Sequence, residues 1–95
     1  MSKSIIQNKK ECYVCGSKLN LHLHHIIFGK NRKKADEDGL TVYLCWEHHE
    51  GTNGVHGKKG APLDRTLKEI AETKWIVKNG KTKEEFIKRY HKNYL

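Results

Sequence analysis

No stretch of this 95-residue chain approaches the roughly 18 apolar residues that a membrane helix needs. The first ten residues hold only the Ile5-Ile6 pair, too little for the apolar region of a secretory signal, so the expected location is the cytoplasm. Cysteine is scarce and odd in number. Three Cys cannot all pair within one chain, and a reducing compartment disfavours disulfides in any case. Apolar residues are few, 36% against 32% charged, so the core is expected to be thin and marginal on hydrophobic energy alone. There is no repeat and no low-complexity segment. A membrane protein, a secreted disulfide scaffold and a multidomain enzyme are all set aside, leaving one small domain in need of a staple.

What is abundant is positive charge and histidine. Nineteen Lys and Arg against eleven Asp and Glu give a formal charge of +8, which points to a polyanionic partner, nucleic acid before an anionic membrane surface. Seven His beside three Cys suggest that the staple is a metal.

Residues 1–10 read as a flexible basic arm and residues 11–95 as one domain. Alternation at Leu19, Leu21 and Leu23 predicts a short strand, and Leu40 to Cys45 a second one rich in β-branched and aromatic residues. The charged segment between them, Gly29 to Gly39, reads as a loop. Trp46 to Asn53 suits a short helix, which Gly51, Gly54, Gly57 and Gly60 keep from running on. Pro62 in a first turn, with Leu63, Leu67, Ile70, Lys74 and Val77 at helical spacing and Asn79-Gly80 as the stop, predicts a longer helix. Thr82 and Glu85 match a capping box that starts a last helix carrying Phe86, Ile87 and Tyr90. The fold class is therefore α+β: a zinc-stapled core over residues 11–60 followed by C-terminal helices over 61–95. Leu63, Leu67, Ile70, Val77, Phe86 and Tyr90 are read as core. Trp46 and Trp75 are expected to pack rather than stack on bases.

Cys12-x-x-Cys15-Gly16 has the form of a knuckle, two thiolates folded back to one point. Cys45-x-x-His48 supplies a second half-site about thirty residues on. A Cys₃His set suits tetrahedral Zn²⁺, and binding would add folding energy that a thin core lacks. A lone Cys-x-x-Cys is equally a redox motif; the paired half-sites favour metal. Whether His48 or His49 closes the site is open at this level.

His24-His25 ends the first strand and His48-His49 follows the second, so the zinc that joins the half-sites brings the two doublets together. Neighbours on a strand face opposite ways, and neighbours on a helix are turned about 100° apart. His24 and His49 can then hold a divalent cation while His25 stays free as a general base, since an imidazole titrating near neutrality suits the deprotonation of water. A cation with few protein ligands keeps positions open for phosphate oxygens. With a +8 surface to hold the backbone, phosphodiester hydrolysis follows. The plainer view, surface histidines on a zinc-stapled binding module, is preferred for His22 and His91.

The motifs Cys12-Tyr-Val-Cys15-Gly, Leu23-His24-His25-Ile26-Ile27 and Leu44-Cys45-Trp-Glu-His48-His49 resemble those of the HNH (His-Me finger) endonucleases with a ββα-metal core. The resemblance implies that His24 and His49 bind a catalytic Mg²⁺ or Mn²⁺, that His25 activates water, and that His48 completes the structural zinc site. The longer run Gly39-Leu-Thr-Val-Tyr-Leu-Cys-Trp-Glu-His-His-Glu-Gly-Thr-Asn-Gly-Val-His56 and the tail Lys83-Glu-Glu-Phe-Ile-Lys-Arg-Tyr-His-Lys-Asn-Tyr-Leu95 are similar to short phage and prophage HNH proteins of the recombination-enhancement, RecA-dependent type. That likeness implies DNA as substrate and a RecA-type filament as partner. One departure stands out. Many HNH enzymes carry an Asn five residues before the second-strand Cys, bracing the loop behind the base; here that position is Leu40. Bracing is expected from backbone or from Asp38.

Asn53, one helical turn after His49, is a candidate further ligand or an ordinary turn residue with Gly54. His56 is a candidate ligand or phosphate contact. Lys30, Arg32, Lys33, Lys34, Lys58 and Lys59 flank the expected site and are candidates for DNA backbone contacts. Two rival functions remain at this level: a zinc-knuckle DNA-binding or recombination-accessory module without turnover, and a zinc protein that bridges other proteins.

Overall fold

A computed structural model describes residues 3–95. Two strands, β1 (Leu21–His25) and β2 (Thr41–Cys45), pair antiparallel with Leu21 opposite Cys45, Leu23 opposite Tyr43 and His25 opposite Thr41. A short helix follows each strand: α1 (Arg32–Asp38) after β1 and α2 (Trp46–His49) after β2. The longer α3 (Ala61–Asn79) and α4 (Lys83–Tyr90) then pack over the sheet. The chain is a small α+β protein with a two-stranded sheet. Among the described residues no helix is long and apolar enough to cross a membrane.

Period-two alternation decides what the sheet presents. His22 and His24 share one face with Val42 and Leu44, while Leu23 and His25 share the other with Tyr43 and Thr41. Val42, Leu44 and His24 are buried. Ile26, Leu40, Leu67, Ala71, Trp75, Phe86 and Tyr90 complete the centre of the core.

The segment Gly29 to Gly39, expected as a loop, is helical: a 3₁₀ turn over Gly29–Asn31 runs directly into α1. Arg32-Lys-Lys-Ala-Asp-Glu-Asp38 is built largely of straight-chain helix formers, and Gly39 ends it in the left-handed region at φ 73°. A side chain at Gly39 would also strike the Lys3 carbonyl, so both conformation and contact require glycine. Residues 3–10 do not form the loose arm expected of them. Ile5 N–H donates to Gly39 O (2.9 Å), Ser4 Oγ donates to Thr41 O, and Gln7 Oε1 accepts from Tyr43 N–H (2.8 Å). The segment thus satisfies the outer edge of β2, which would otherwise offer unpaired backbone groups to other chains.

α3 starts with Pro62 in its first turn and ends at Gly80, as the sequence predicts, but its buried face is turned from the expected stripe. Leu67, Ala71 and Trp75, four residues apart, enter the core, whereas Val77 is 74% exposed. Trp46, also expected to pack, is 53% exposed. The capping box of α4 forms as read: Glu85 N–H donates to Thr82 Oγ1 (3.2 Å) and Thr82 N–H to Glu85 Oε1 (3.1 Å). α1, α3 and α4 meet at Asp38. Its carboxylate accepts from Trp75 Nε1 (2.9 Å), Tyr90 Oη (2.6 Å) and both Nε and Nη2 of Arg89 (2.6 and 3.0 Å).

Candidate metal centres and the histidine site

The knuckle forms because Gly16 takes φ 77° and its N–H returns to Cys12 O (2.8 Å). β2 ends at Cys45, and one turn of α2 carries His48 back over the knuckle. The ligand atoms of Cys12, Cys15, Cys45 and His48 all lie within 4.8 Å of one another. Cys15 Sγ to Cys45 Sγ is 3.8 Å, the edge of a tetrahedron with Zn–S bonds of about 2.3 Å. His48 Nδ1 stands 3.2 Å from Cys45 Sγ and 3.7 Å from Cys12 Sγ, so His48 is the residue that closes the cluster. The donor set is compatible with structural zinc. Desolvation opposes ionisation of Cys12, but backbone hydrogen bonds at Cys45, Cys15 and Val14 outweigh it and bring its pKa to about 6. At Cys15 a backbone hydrogen bond at Ser17 favours the thiolate, yet desolvation and the Cys12 and Cys45 sulfurs leave its pKa raised. Thiols that must share charge in this way are those a dication relieves.

His49, one residue on, points elsewhere. His24, His49 and His56 form a second group whose ligand atoms also fall within 4.8 Å. Their ring centroids lie 5.2 Å (His24–His49), 5.5 Å (His24–His56) and 4.8 Å (His49–His56) apart. His24 is 2% exposed and its Nε2 has no hydrogen-bond partner among the described residues. Burial, followed by the charges of His49, His56, His25 and Lys68, lowers its pKa to about 3. Burial, then His56 and His22, also lowers that of His49. Both rings therefore stay neutral at physiological pH, the form that ligates metal, and an orphaned buried nitrogen is what a bound cation would satisfy. Three imidazoles without a carboxylate suit borderline cations such as Zn²⁺, Co²⁺ or Ni²⁺; Mg²⁺ and Mn²⁺ fit the set less well, since they favour oxygen.

His56 reaches this group through a feature that sequence reading took only as helix termination. Gly51, Gly54, Gly57 and Gly60 recur every third residue, and the chain between them winds tightly. Gly54 N–H bonds Gly51 O, Gly57 N–H bonds Gly54 O, and His56 N–H bonds His49 O, all at 2.8–2.9 Å. A Cβ on Gly57 would overlap the Gly51 carbonyl, and one on Gly60 the Gly54 carbonyl. The third donor beside His24 and His49 is thus His56, while Asn53 is exposed on the same loop, as are Lys58 and Lys59.

His25 lies on the other face of β1. Its Nε2 is 3.0 Å from Asp36 Oδ1, supplied by α1, and the side chain is 10% exposed. The brace expected from backbone or Asp38 is therefore Asp36, while Asp38 is committed to the helices. A cleft of about 560 Å³ opens here, lined by His25, Gly29, Lys30, Arg32, Lys33 and Asp36. Lys30 and Arg32 accordingly stand beside His25, while Lys34 instead donates to Arg89 O (2.9 Å).

Sequence reading missed four neighbours of these groups. His22, set aside as a surface residue, has Nδ1 2.9 Å from His49 Nδ1. The signal was present, since residues 22 and 24 share a strand face. Asp36 was hidden by reading a helix as a loop. Phe28 and Lys68 carry no motif: the Phe28 ring is 5.6 Å from His56, and Lys68 Nζ sits 4.5 Å over Phe28. His91, also set aside, ends α4 and is exposed.

Comparison with protein-family models, curated proteins and solved structures yields no match to this chain.

Proposed function

We propose that the chain is a metal-dependent, HNH-type DNA endonuclease on a zinc-stapled ββα-metal core. The observation that carries this reading is the conjunction around one hairpin of an imidazole trio, buried His24 with half-buried His49 and exposed His56, and a separately braced His25. Asp36 accepts from Nε2–H of His25, which fixes the tautomer and leaves the Nδ1 lone pair free. That nitrogen takes a proton from water as the water oxygen bonds to phosphorus. The bond from phosphorus to the leaving oxygen breaks in line, and the leaving oxygen takes up a proton from solvent. A cation held by the imidazole trio would act as a Lewis acid toward phosphate and leaving oxygens. Lys30, Arg32 and Lys33 around His25, with Lys58 and Lys59 on the glycine-rich loop, supply charge for the DNA backbone. The likeness of the Gly39 to His56 run and the C-terminal tail to short phage and prophage HNH proteins supports a recombination setting with a RecA-type filament.

The test is relaxation of supercoiled plasmid by wild type and His25→Ala, with Mg²⁺, Mn²⁺, Co²⁺ or EDTA, on naked plasmid and on RecA-coated single-stranded DNA. Divalent-dependent cleavage that disappears in a folded His25→Ala supports the reading; equal cleavage by both rejects His25 as the base. A second reading, a DNA-binding or recombination-accessory module without turnover, draws on the alternation that turns His25 and His24 to opposite faces of β1. It predicts salt-dependent DNA binding and no cleavage of either substrate with any metal.

A further inference from the structure

His49 belongs to two ligand sets. Besides the group with His24 and His56, its ligand atom lies within 4.8 Å of those of His22 and Glu50. His22 and His24 leave the same face of β1 two residues apart, and α2 sets His49 against both: the His22–His49 centroids are 5.0 Å apart, those of His24 and His49 5.2 Å. Glu50, the next residue, adds a carboxylate on the exposed side.

We propose that His22, His49 and Glu50 build a second cation position, which takes a borderline divalent ion such as Co²⁺, Ni²⁺ or Zn²⁺ and competes with the inner trio for His49. Two imidazoles and a carboxylate with an open position form a familiar donor set for such ions. Metal–nitrogen bonds of about 2.0 Å at tetrahedral angles place two nitrogens roughly 3.3 Å apart. The observed Nδ1–Nδ1 distance of 2.9 Å needs only a few tenths of an ångström to reach it. The two positions differ in character. The inner one is neutral, includes buried His24 and is flanked by Phe28; the outer one is more open and carries the negative charge of Glu50. An ion at the outer position engages His49 and leaves the inner one with His24 and His56 alone. Ions of this class in excess therefore act against whatever the inner position supports. The simpler use of the His22–His49 contact is an N–H···N hydrogen bond between neutral rings.

The experiment loads the Cys₃His cluster with one equivalent of Zn²⁺, which thiolates hold more tightly than Co²⁺, and titrates Co²⁺ by calorimetry with native mass spectrometry to count ions. Wild type, His22→Ala, His56→Ala and the double variant are compared. His22 is half-buried and His56 exposed, and matching thermal melts confirm that the replacements leave the fold intact. Wild type is expected to bind one Co²⁺ beyond the zinc, and each single variant to retain one through its remaining set. The double variant is expected to bind at least tenfold more weakly than His56→Ala. A double variant within twofold of His56→Ala would overturn the outer position and leave a hydrogen bond only. Wild type taking two Co²⁺ would overturn the competition. The readout is ion binding, so a chain that never cleaves DNA still decides the question.

Discussion

Cys15 is the exposed member of the Cys₃His cluster, while Cys12 and Cys45 are buried. Replacing it by Ser removes a ligand without opening a cavity, so any stability lost reports on the metal. Domains of this size have a net stability on the order of 5–15 kcal/mol, and structural Zn²⁺ contributes about 10–16 kcal/mol in zinc-finger peptides. Without metal, the knuckle is tied to the sheet by the bond from Tyr13 N–H to Tyr43 O (2.9 Å), by Gln7, which bridges Glu11 O and Tyr43 N–H, and by buried Cys12, while the metal's contribution is of the order of the whole net stability. Chelation is therefore expected to remove most or all of the folded population. An even share of the metal contribution over four ligands is roughly 2.5–4 kcal/mol each. Cys15→Ser in saturating zinc is then expected to melt roughly 10–32 °C below wild type, at about 4–8 °C per kcal/mol for a domain of this size. Far-UV circular dichroism melts with zinc and with chelator measure both effects, and in chelator the two proteins should coincide. A wild-type melt that does not move on chelation, or a Cys15→Ser melt in zinc that matches wild type, refutes the staple.

Four further outcomes are expected. His24 has a folded pKa of about 3, pushed down chiefly by burial, against about 6.5 when unfolded, so the unfolded state binds the extra proton and stability is lost as pH falls from about 6.5 toward 3. The loss should be on the order of 1 kcal/mol per pH unit; urea melts of wild type against His24→Gln between pH 7 and 5 isolate it, and parallel pH dependences would contradict it. In a His22→Ala background, which removes the outer set, Gly57→Ala should weaken Co²⁺ binding at the imidazole trio at least tenfold with the thiolate site still loaded, because the new methyl displaces the turn that holds His56; unchanged affinity in that background would mean that the loop does not position His56. Asp38→Ala should cost about 3–5 kcal/mol in urea unfolding, since it strands the Trp75 and Tyr90 donors and leaves Arg89 only its longer contact to Glu37, whereas Asp38→Asn keeps an acceptor and should cost less. Lys30→Ala/Arg32→Ala should reduce the salt dependence of DNA binding by about two phosphate contacts in the log–log slope; an unaltered slope would remove the cleft beside His25 from the DNA path.

Much of this architecture is legible in the chain because local signals carry it. The β2 pattern from Leu40, the Thr82–Glu85 capping box, Pro62 and the Cys/His half-sites each depend on a few neighbouring residues, and each appears where the sequence places it. What was illegible depends on the third dimension. Val77 fits a helical stripe, but α3 turns Leu67, Ala71 and Trp75 inward, because the surface it meets is set by distant Phe86 and Asp38. The arm looked unstructured because its partners are backbone groups of β2 more than thirty residues away. Asp36 is hidden in a charged segment that resembles a loop: Arg32 to Asp38 is polar because every residue of α1 but Ala35 reaches the surface, and it is helix-forming all the same. His22 shows the opposite failure, in which a period-two signal was available and was outweighed by composition.

The covering of β2 by residues 3–10 has a consequence for how the chain is made. Ribosomal synthesis delivers that segment ahead of its partners: the Gly39 and Thr41 carbonyls and the Tyr43 N–H emerge more than thirty residues later, and the knuckle likewise waits for Cys45 and His48. During that interval the nascent chain has nothing to close upon, and the new edge of β2 is exposed as soon as the hairpin forms. Residues 3–10 thus dock only after the strand they cover has been made, and a bulky group attached just ahead of them would be felt at the sheet edge before it was felt at the histidines.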